Sequence, residues 1–218
     1  MTNDLISRKT AQILIEKKCV EFSFKKKFKL TSGKLSMVYC DCRKIISYPK
    51  ERNILINFAV KKIRNDNSLK DLSNISGGES AGIPFGSFIA QKIKLPLCYI
   101  RKKKKGFGKN SQIEGIINNR DKVLLVEDLI TDGGSKINFL NALSRVKANI
   151  RGIFVIFNYG INEDYIRFKG KKIKIISLAS WQDIIKILIE KKELKDRNIS
   201  KLVNFLKSMG VKNLKSFL

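Results

Sequence analysis

The run Val123-Leu124-Leu125-Val126-Glu127-Asp128-Leu129-Ile130-Thr131-Asp132-Gly133-Gly134-Ser135 restricts the folds open to this chain more than any other segment. Its apolar start, with β-branched Val123 and Val126, reads as a strand covered on both faces, the environment found in the middle of a parallel sheet. Glu127 and Asp128 follow at the end of that strand. Adjacent carboxylates that lose hydration repel each other, so hydroxyls, a cation or hydrogen-bond donors must face them. The loop that comes next is rich in glycine and hydroxyls, and Ile137, Phe139, Leu140 and Leu143 then take the spacing of an amphipathic helix. Glycines let backbone amides approach a ligand closely, and amides at a helix N-terminus suit a phosphate. Carboxylates for sugar hydroxyls beside amides for a phosphate point to a sugar phosphate.

Other strand-to-helix units surround this one. Residues 3–19 read as an amphipathic helix, and residues 20–30 and 35–41 as short strands joined through Thr31-Ser32-Gly33-Lys34. Pro49 and Glu51 open a helix that buries Ile54, Leu55, Phe58, Ala59 and Ile63. Leu72 to Ile75 form a strand, and Ser76-Gly77-Gly78-Glu79-Ser80-Ala81-Gly82-Ile83-Pro84 a second ligand-facing turn at the same sheet edge, followed by a helix through Phe88, Ile89 and Ile93. The strand at 95–100 leads to Arg101-Lys102-Lys103-Lys104-Lys105-Gly106-Phe107-Gly108. Successive cations cannot pack into a core, and Gly106 and Gly108 give the segment mobility, so 101–115 is expected to be a lid loop. Strands at 153–157 and 173–178 and helices from Trp181 and around Leu202 to Leu206 complete the chain. The expected fold is α/β: one domain over 1–218, a doubly wound, mostly parallel sheet with flanking helices, a small N-terminal hood at 1–45 and a C-terminal helix at 199–218.

The segment 123–135 resembles the phosphoribosyl-diphosphate motif of the type I phosphoribosyltransferases. With Leu30-Thr31-Ser32-Gly33, the turn at 77–84, the lysine loop at 101–108 and Gln112-Ile113-Glu114-Gly115, residues 28–181 resemble the orotate phosphoribosyltransferases. The resemblance implies transfer of ribose 5-phosphate from phosphoribosyl diphosphate to orotate, with magnesium as cofactor, in a homodimer whose lid reaches the neighbouring site. It implies that Arg101, Lys102 and Lys105 bind the diphosphate and that Glu127 and Asp128 hold the ribose. Leu129, Ile130, Thr131, Asp132, Gly133, Gly134 and Ser135 then complete the phosphoribosyl segment, and Thr131 also touches orotate. Lys105 and Asp128 are the expected catalytic residues, and no metal-ligating set is assigned to the chain. The chain departs from many members at Thr31, where they carry lysine, at Ser80-Ala81, at Phe107, and at Asn158-Tyr159, where an arginine that faces orotate's carboxylate is missing.

Composition narrows the chemistry further. The chain has no histidine, which removes a Ser-His-Asp triad, a histidine base and a histidine-ligated metal. Its four cysteines, Cys19, Cys40, Cys42 and Cys98, read as reduced, packed thiols. The net charge of +26 invites a nucleic-acid partner, but the lysines are spread along the whole length among abundant Ile and Asn, as codon bias would produce. The expectations are no nucleic acid, no membrane and a cytoplasmic location, since no apolar run nears the roughly 20 residues of a bilayer span. An RNA-binding regulator on the same fold, or transfer to another base, are the competing readings.

Overall fold

The computed structural model describes residues 2–29, 33, 35–104, 112–162, 164–214 and 217. In chain order the elements are α1 (Asn3–Glu16), β1 (Val20–Phe22), β2 (Phe28–Lys29), β3 (Leu35–Ser36), β4 (Val38–Cys40), a 3-10 helix (Cys42–Ser47), α2 (Pro49–Asn65), a second 3-10 turn (Asn67–Leu69), β5 (Asn74–Gly78), α3 (Gly82–Ile93), β6 (Leu97–Ile100) and β7 (Ile113–Glu114). They continue as β8 (Lys122–Ile130), α4 (Gly134–Arg145), β9 (Asn149–Asn158), β10 (Tyr165–Phe168), β11 (Lys171–Ser180), α5 (Trp181–Glu190) and α6 (Asp196–Ser208).

The main sheet has seven strands in the order β10-β11-β9-β8-β5-β6-β7. Its five inner strands run parallel, and the outer pairs β10–β11 and β6–β7 are antiparallel. β8 lies at the centre, and Val123, Leu124, Leu125 and Val126 are fully buried. That is why the strand has no polar alternation: both faces are covered by helices. Residues of α1, α2, α3, α5 and α6 pack in one core cluster, and α4 packs in a second with Val123, Leu125 and Ile130 of β8.

Several expected boundaries move. β5 starts at Asn74 and runs through Ser76, Gly77 and Gly78, which the sequence assigned to a turn. These residues stay extended because their small side chains leave room for neighbours: a Cβ on Gly77 would sit 2.8 Å from the Gly82 carbonyl oxygen. The expected helix at 199–218 is Asp196–Ser208; Gly210, at φ +88, turns the chain away. Of the expected hood at 1–45, α1 is a core helix, with Ile6, Ala11, Ile13 and Leu14 buried. The antiparallel pairs β1–β4 and β2–β3 form two separate two-stranded sheets. Ile113–Glu114 of the expected lid is an edge strand, pinned to β6. The four cysteines are free and buried, as expected.

Candidate active site

β8 does not stop before its carboxylates but carries them, since Glu127 pairs with Val155 of β9 in the ladder. Glu127 is 5% exposed and forms an ion pair with Lys136, itself 6% exposed, on the first turn of α4. Burial pushes the Glu127 carboxyl up to about 7, against the lowering influence of Lys136. Burial also raises Asp128, while Lys136, the Leu129 amide and Arg43 pull it back. Glu127 Oε1 is buried without a hydrogen-bond partner among the described residues. An unsatisfied buried carboxylate oxygen facing a cleft is a group waiting for a donor or a cation.

Glycine makes room for this carboxylate. A Cβ on Gly82 would meet the Val126 carbonyl oxygen and come 2.7 Å from Glu127 Oε1, and one on Gly78 would meet Glu127 Oε1 and come 2.7 Å from the Phe139 ring. Glu79, whose peptide bond to Ser80 is cis, accepts the Lys102 amide N–H on Oε2 at 2.6 Å. Asn138 of α4 donates to the Lys102 carbonyl at 2.8 Å. Across the foot of the lysine loop the Arg101 N–H donates to the Gln112 carbonyl at 2.8 Å, the Gln112 side-chain amide donates back to the Arg101 carbonyl at 2.9 Å, and Arg145 donates to the Gln112 side-chain oxygen. Lys102 therefore emerges from an anchored foot and lines a cleft of about 300 Å³ with Arg43, Glu127, Asp128, Ser135 and Asn138.

The phosphate-loop expectation divides between two places. Ser135 lines that cleft, whereas Asp132, Gly133 and Gly134 line a neighbouring one of about 390 Å³ with Asn162, Tyr165 and Arg167. Gly133 takes φ +86 at the start of α4, and Asp132 Oδ1 accepts the Gly134 N–H at 3.0 Å. The chain thus places its own anion on an amide at the N-terminus of this helix. Thr131 is half-buried, and its carbonyl accepts from Asn162 at 3.3 Å. Leu129 packs against the core and Ile130 is fully buried, so both support the motif from beneath. Arg101 does not line the cleft; its guanidinium is 3.6 Å from Glu114. Lys105, Gly106, Phe107 and Gly108, like Thr31 and Ser32, lie outside the described residues.

Arg43, Lys136 and Asn138 are the site residues that the sequence did not single out, whereas Glu79 lies in the turn expected to face the ligand. Lys136 adjoins the motif, but in a chain with 45 Lys and Arg a lysine carries no contrast. Among the described residues no set of three or more Cys, Asp or Glu could hold a metal by itself. The paired carboxylates, one with an orphaned oxygen, are hard donors that fit a magnesium ion shared with substrate oxygens.

Residues 49–186 match the phosphoribosyl transferase domain. The chain is 42% identical over 181 residues to orotate phosphoribosyltransferase of Cereibacter sphaeroides, covering 83% of this chain and 78% of that protein. It is 40% identical over 197 residues to orotate phosphoribosyltransferase of Rhizobium rhizogenes, covering 90% and 85%. Among solved structures, orotate phosphoribosyltransferase from Aeropyrum pernix shares the fold at a TM-score of 0.66 and 23% identity, covering 82% of this chain and 97% of that one. Leishmania donovani UMP synthase does so at 0.73 and 21%, over 93% of this chain and 42% of that one.

Proposed function

This chain belongs to the orotate phosphoribosyltransferase family, and on that premise we propose how its cleft divides the work of the reaction. The reaction transfers ribose 5-phosphate from 5-phospho-α-D-ribose 1-diphosphate to orotate, giving orotidine 5′-phosphate and diphosphate in UMP synthesis. The observation that carries the assignment is Glu127 and Asp128 near the end of the central strand, in one cleft with Ser135 at the start of α4 and Lys102 just after β6.

Glu127 and Asp128 hold the ribose hydroxyls, and the amides of 131–135 take the 5-phosphate once it replaces the Asp132 carboxylate on Gly134. Lys102, together with Arg101 once freed from Glu114 and with Lys105, faces the diphosphate, while Thr131 lies toward the base. Magnesium, when bound, neutralises part of the diphosphate charge. As the bond at ribose C1 breaks, positive charge grows on the sugar and negative charge on the departing diphosphate. Carboxylates near the first charge and lysines near the second stabilise the transition state more than the ground state. The N1 proton of orotate leaves as N1 bonds to ribose C1 and passes to the departing diphosphate or to solvent, a route that needs no histidine and accords with a chain that has none. A homodimer in which the lysine loop closes over the neighbouring site would shield the sugar from water. Among the described residues no helix is long and apolar enough to cross a membrane.

Purified protein given phosphoribosyl diphosphate, magnesium and orotate is expected to consume orotate absorbance, and Lys105→Ala to slow that loss by about 10²–10³-fold. Turnover of another base in place of orotate would move the base assignment. Absence of any turnover, with tight and salt-sensitive RNA binding, would favour the regulator.

The Glu127 carboxyl also sets an expected pH profile. Its value of about 7 in the folded chain lies above the ordinary 4.5. The folded state therefore holds a proton through this window that the unfolded state has released. The associated stability is present below 4.5 and lost as pH rises through about 7. Catalysis needs the ionised form, so kcat/KM for phosphoribosyl diphosphate should fall as pH drops through about 7. Glu127→Gln should lower the plateau and erase that limb; an unchanged limb in this variant would assign it elsewhere.

A further inference from the structure

We infer that Arg43 is the base-side cation of this cleft and recognises the carboxylate of orotate. The inference rests on the reaction assigned above and adds the residue that selects its acceptor. Arg43 lies in the 3-10 helix Cys42–Ser47, which follows β4, and lines the same cleft as Asp128 and Lys102. Lys102 follows β6, two strands along the sheet from β8, so the cleft has one cation on the lysine-loop side and one on the N-terminal side. The diphosphate takes the first. The acceptor carries a carboxylate of its own and needs a second.

Among the described residues, two further cations on this side have partners already. Lys136 is buried against Glu127, and Lys44 donates to Glu21 at 2.6 Å and to the Lys18 carbonyl at 2.7 Å. At the end of β9, Asn158 and Tyr159 bring no charge: the Asn158 side chain accepts from Gly160, and burial holds the Tyr159 phenol protonated. Arg43 is different. Asp41 Oδ1 accepts its Nε–H at 2.6 Å and its backbone N–H at 3.3 Å, which fixes the plane of the guanidinium at its root. Nη2 lies 3.4 Å from the Tyr39 hydroxyl, a long contact that a better acceptor displaces. The outer fork that remains matches a carboxylate in two parallel hydrogen bonds, which a lysine cannot reproduce. The side chain is 54% exposed, so an entering ligand reaches it without unpacking the core.

The test compares two nucleotides that differ only in this carboxylate. Binding of orotidine 5′-phosphate and of uridine 5′-monophosphate is measured by titration calorimetry for the wild type, Arg43→Ala and Arg43→Lys, with melting temperatures as a check on folding. KM for orotate and for phosphoribosyl diphosphate is measured alongside. Arg43→Ala should weaken orotidine 5′-phosphate by about 10²-fold and leave uridine 5′-monophosphate unchanged, with the kinetic loss confined to orotate. Arg43→Lys should recover only part of the difference. Equal weakening of both nucleotides, a loss confined to phosphoribosyl diphosphate, or no loss would overturn the assignment. A wild type that turns over no orotate would instead remove the reaction on which the inference rests.

Discussion

Gly82→Ala is expected to abolish orotate turnover and to destabilise the fold by about 3 kcal/mol or more. A Cβ at this position meets the Val126 carbonyl oxygen, a fixed backbone atom in the central strand, and lies 2.7 Å from Glu127 Oε1. Neither neighbour can withdraw cheaply. Val126 is held by the ladders on both sides of β8, and Glu127 is locked to Lys136. The helix α3 must move outward, taking the turn 79–81 and its hold on Lys102 with it. For a chain of this size such a loss lowers the melting temperature by about 6–12 °C. Gly134→Ala is the control for stability alone, because a Cβ there meets only Asp132 Oδ1, at an ordinary 3.5 Å. If Gly82→Ala melts and turns over like the wild type, the close packing of α3 on β8 is wrong.

Lys136→Met should cost about 3–5 kcal/mol wherever Glu127 is ionised, because it strands a buried carboxylate beside Asp128. The penalty must depend on pH. Without Lys136, the influence that lowers the Glu127 carboxyl is gone, and its folded value rises further above about 7. A carboxyl raised on folding contributes stability at low pH that is lost as pH climbs through the folded value. The variant should therefore lie nearer to wild type at pH 6 than at pH 9, and the acid limb of its kcat/KM profile should move upward. Chemical denaturation across that range would show both. Adding Glu127→Gln should restore stability and leave activity low, since two neutral side chains can fill a buried pair's space at little cost. A pH-independent penalty would place the importance of Lys136 in packing alone.

The parts of this site that were legible in the sequence are contiguous. Val123 to Ser135 hold strand, acids, turn and helix start in one stretch, so local chemistry announces the ligand class. The helix α2 was legible because Pro49 and Glu51 mark its start. Residues that reach the cleft from elsewhere were not. Arg43 becomes meaningful only when Asp41 anchors it and the fold brings it into one cleft with Asp128, and Asn138 only when the foot of the lysine loop arrives beside α4. Gly77 and Gly78 read as a turn because glycine usually punctuates. In the fold they are strand residues whose missing side chains make space for Ile83, Glu127 and Phe139. Strand β10 escaped notice because Arg167 and a following Lys-Gly turn obscured its short alternation.

That strand gives the excess of cations a consequence in concentrated solution. β10 is an outer strand of the seven-stranded sheet, and an unpaired strand edge is a template on which a second chain can add. Here Arg167, Lys169, Lys171 and Lys172 are exposed along β10, its turn and the neighbouring strand, and Lys172 lies 4.2 Å from the ring centre of Tyr165. Two copies approaching by this edge would bring like charges within a few ångströms while their aromatic rings are already covered. The repulsion weakens over a screening length of about 8 Å at physiological salt, so it guards against fibre-like stacking without hindering small anions on their way to the cleft. Part of the charge of this chain acts, on this view, as colloidal protection of an exposed sheet margin.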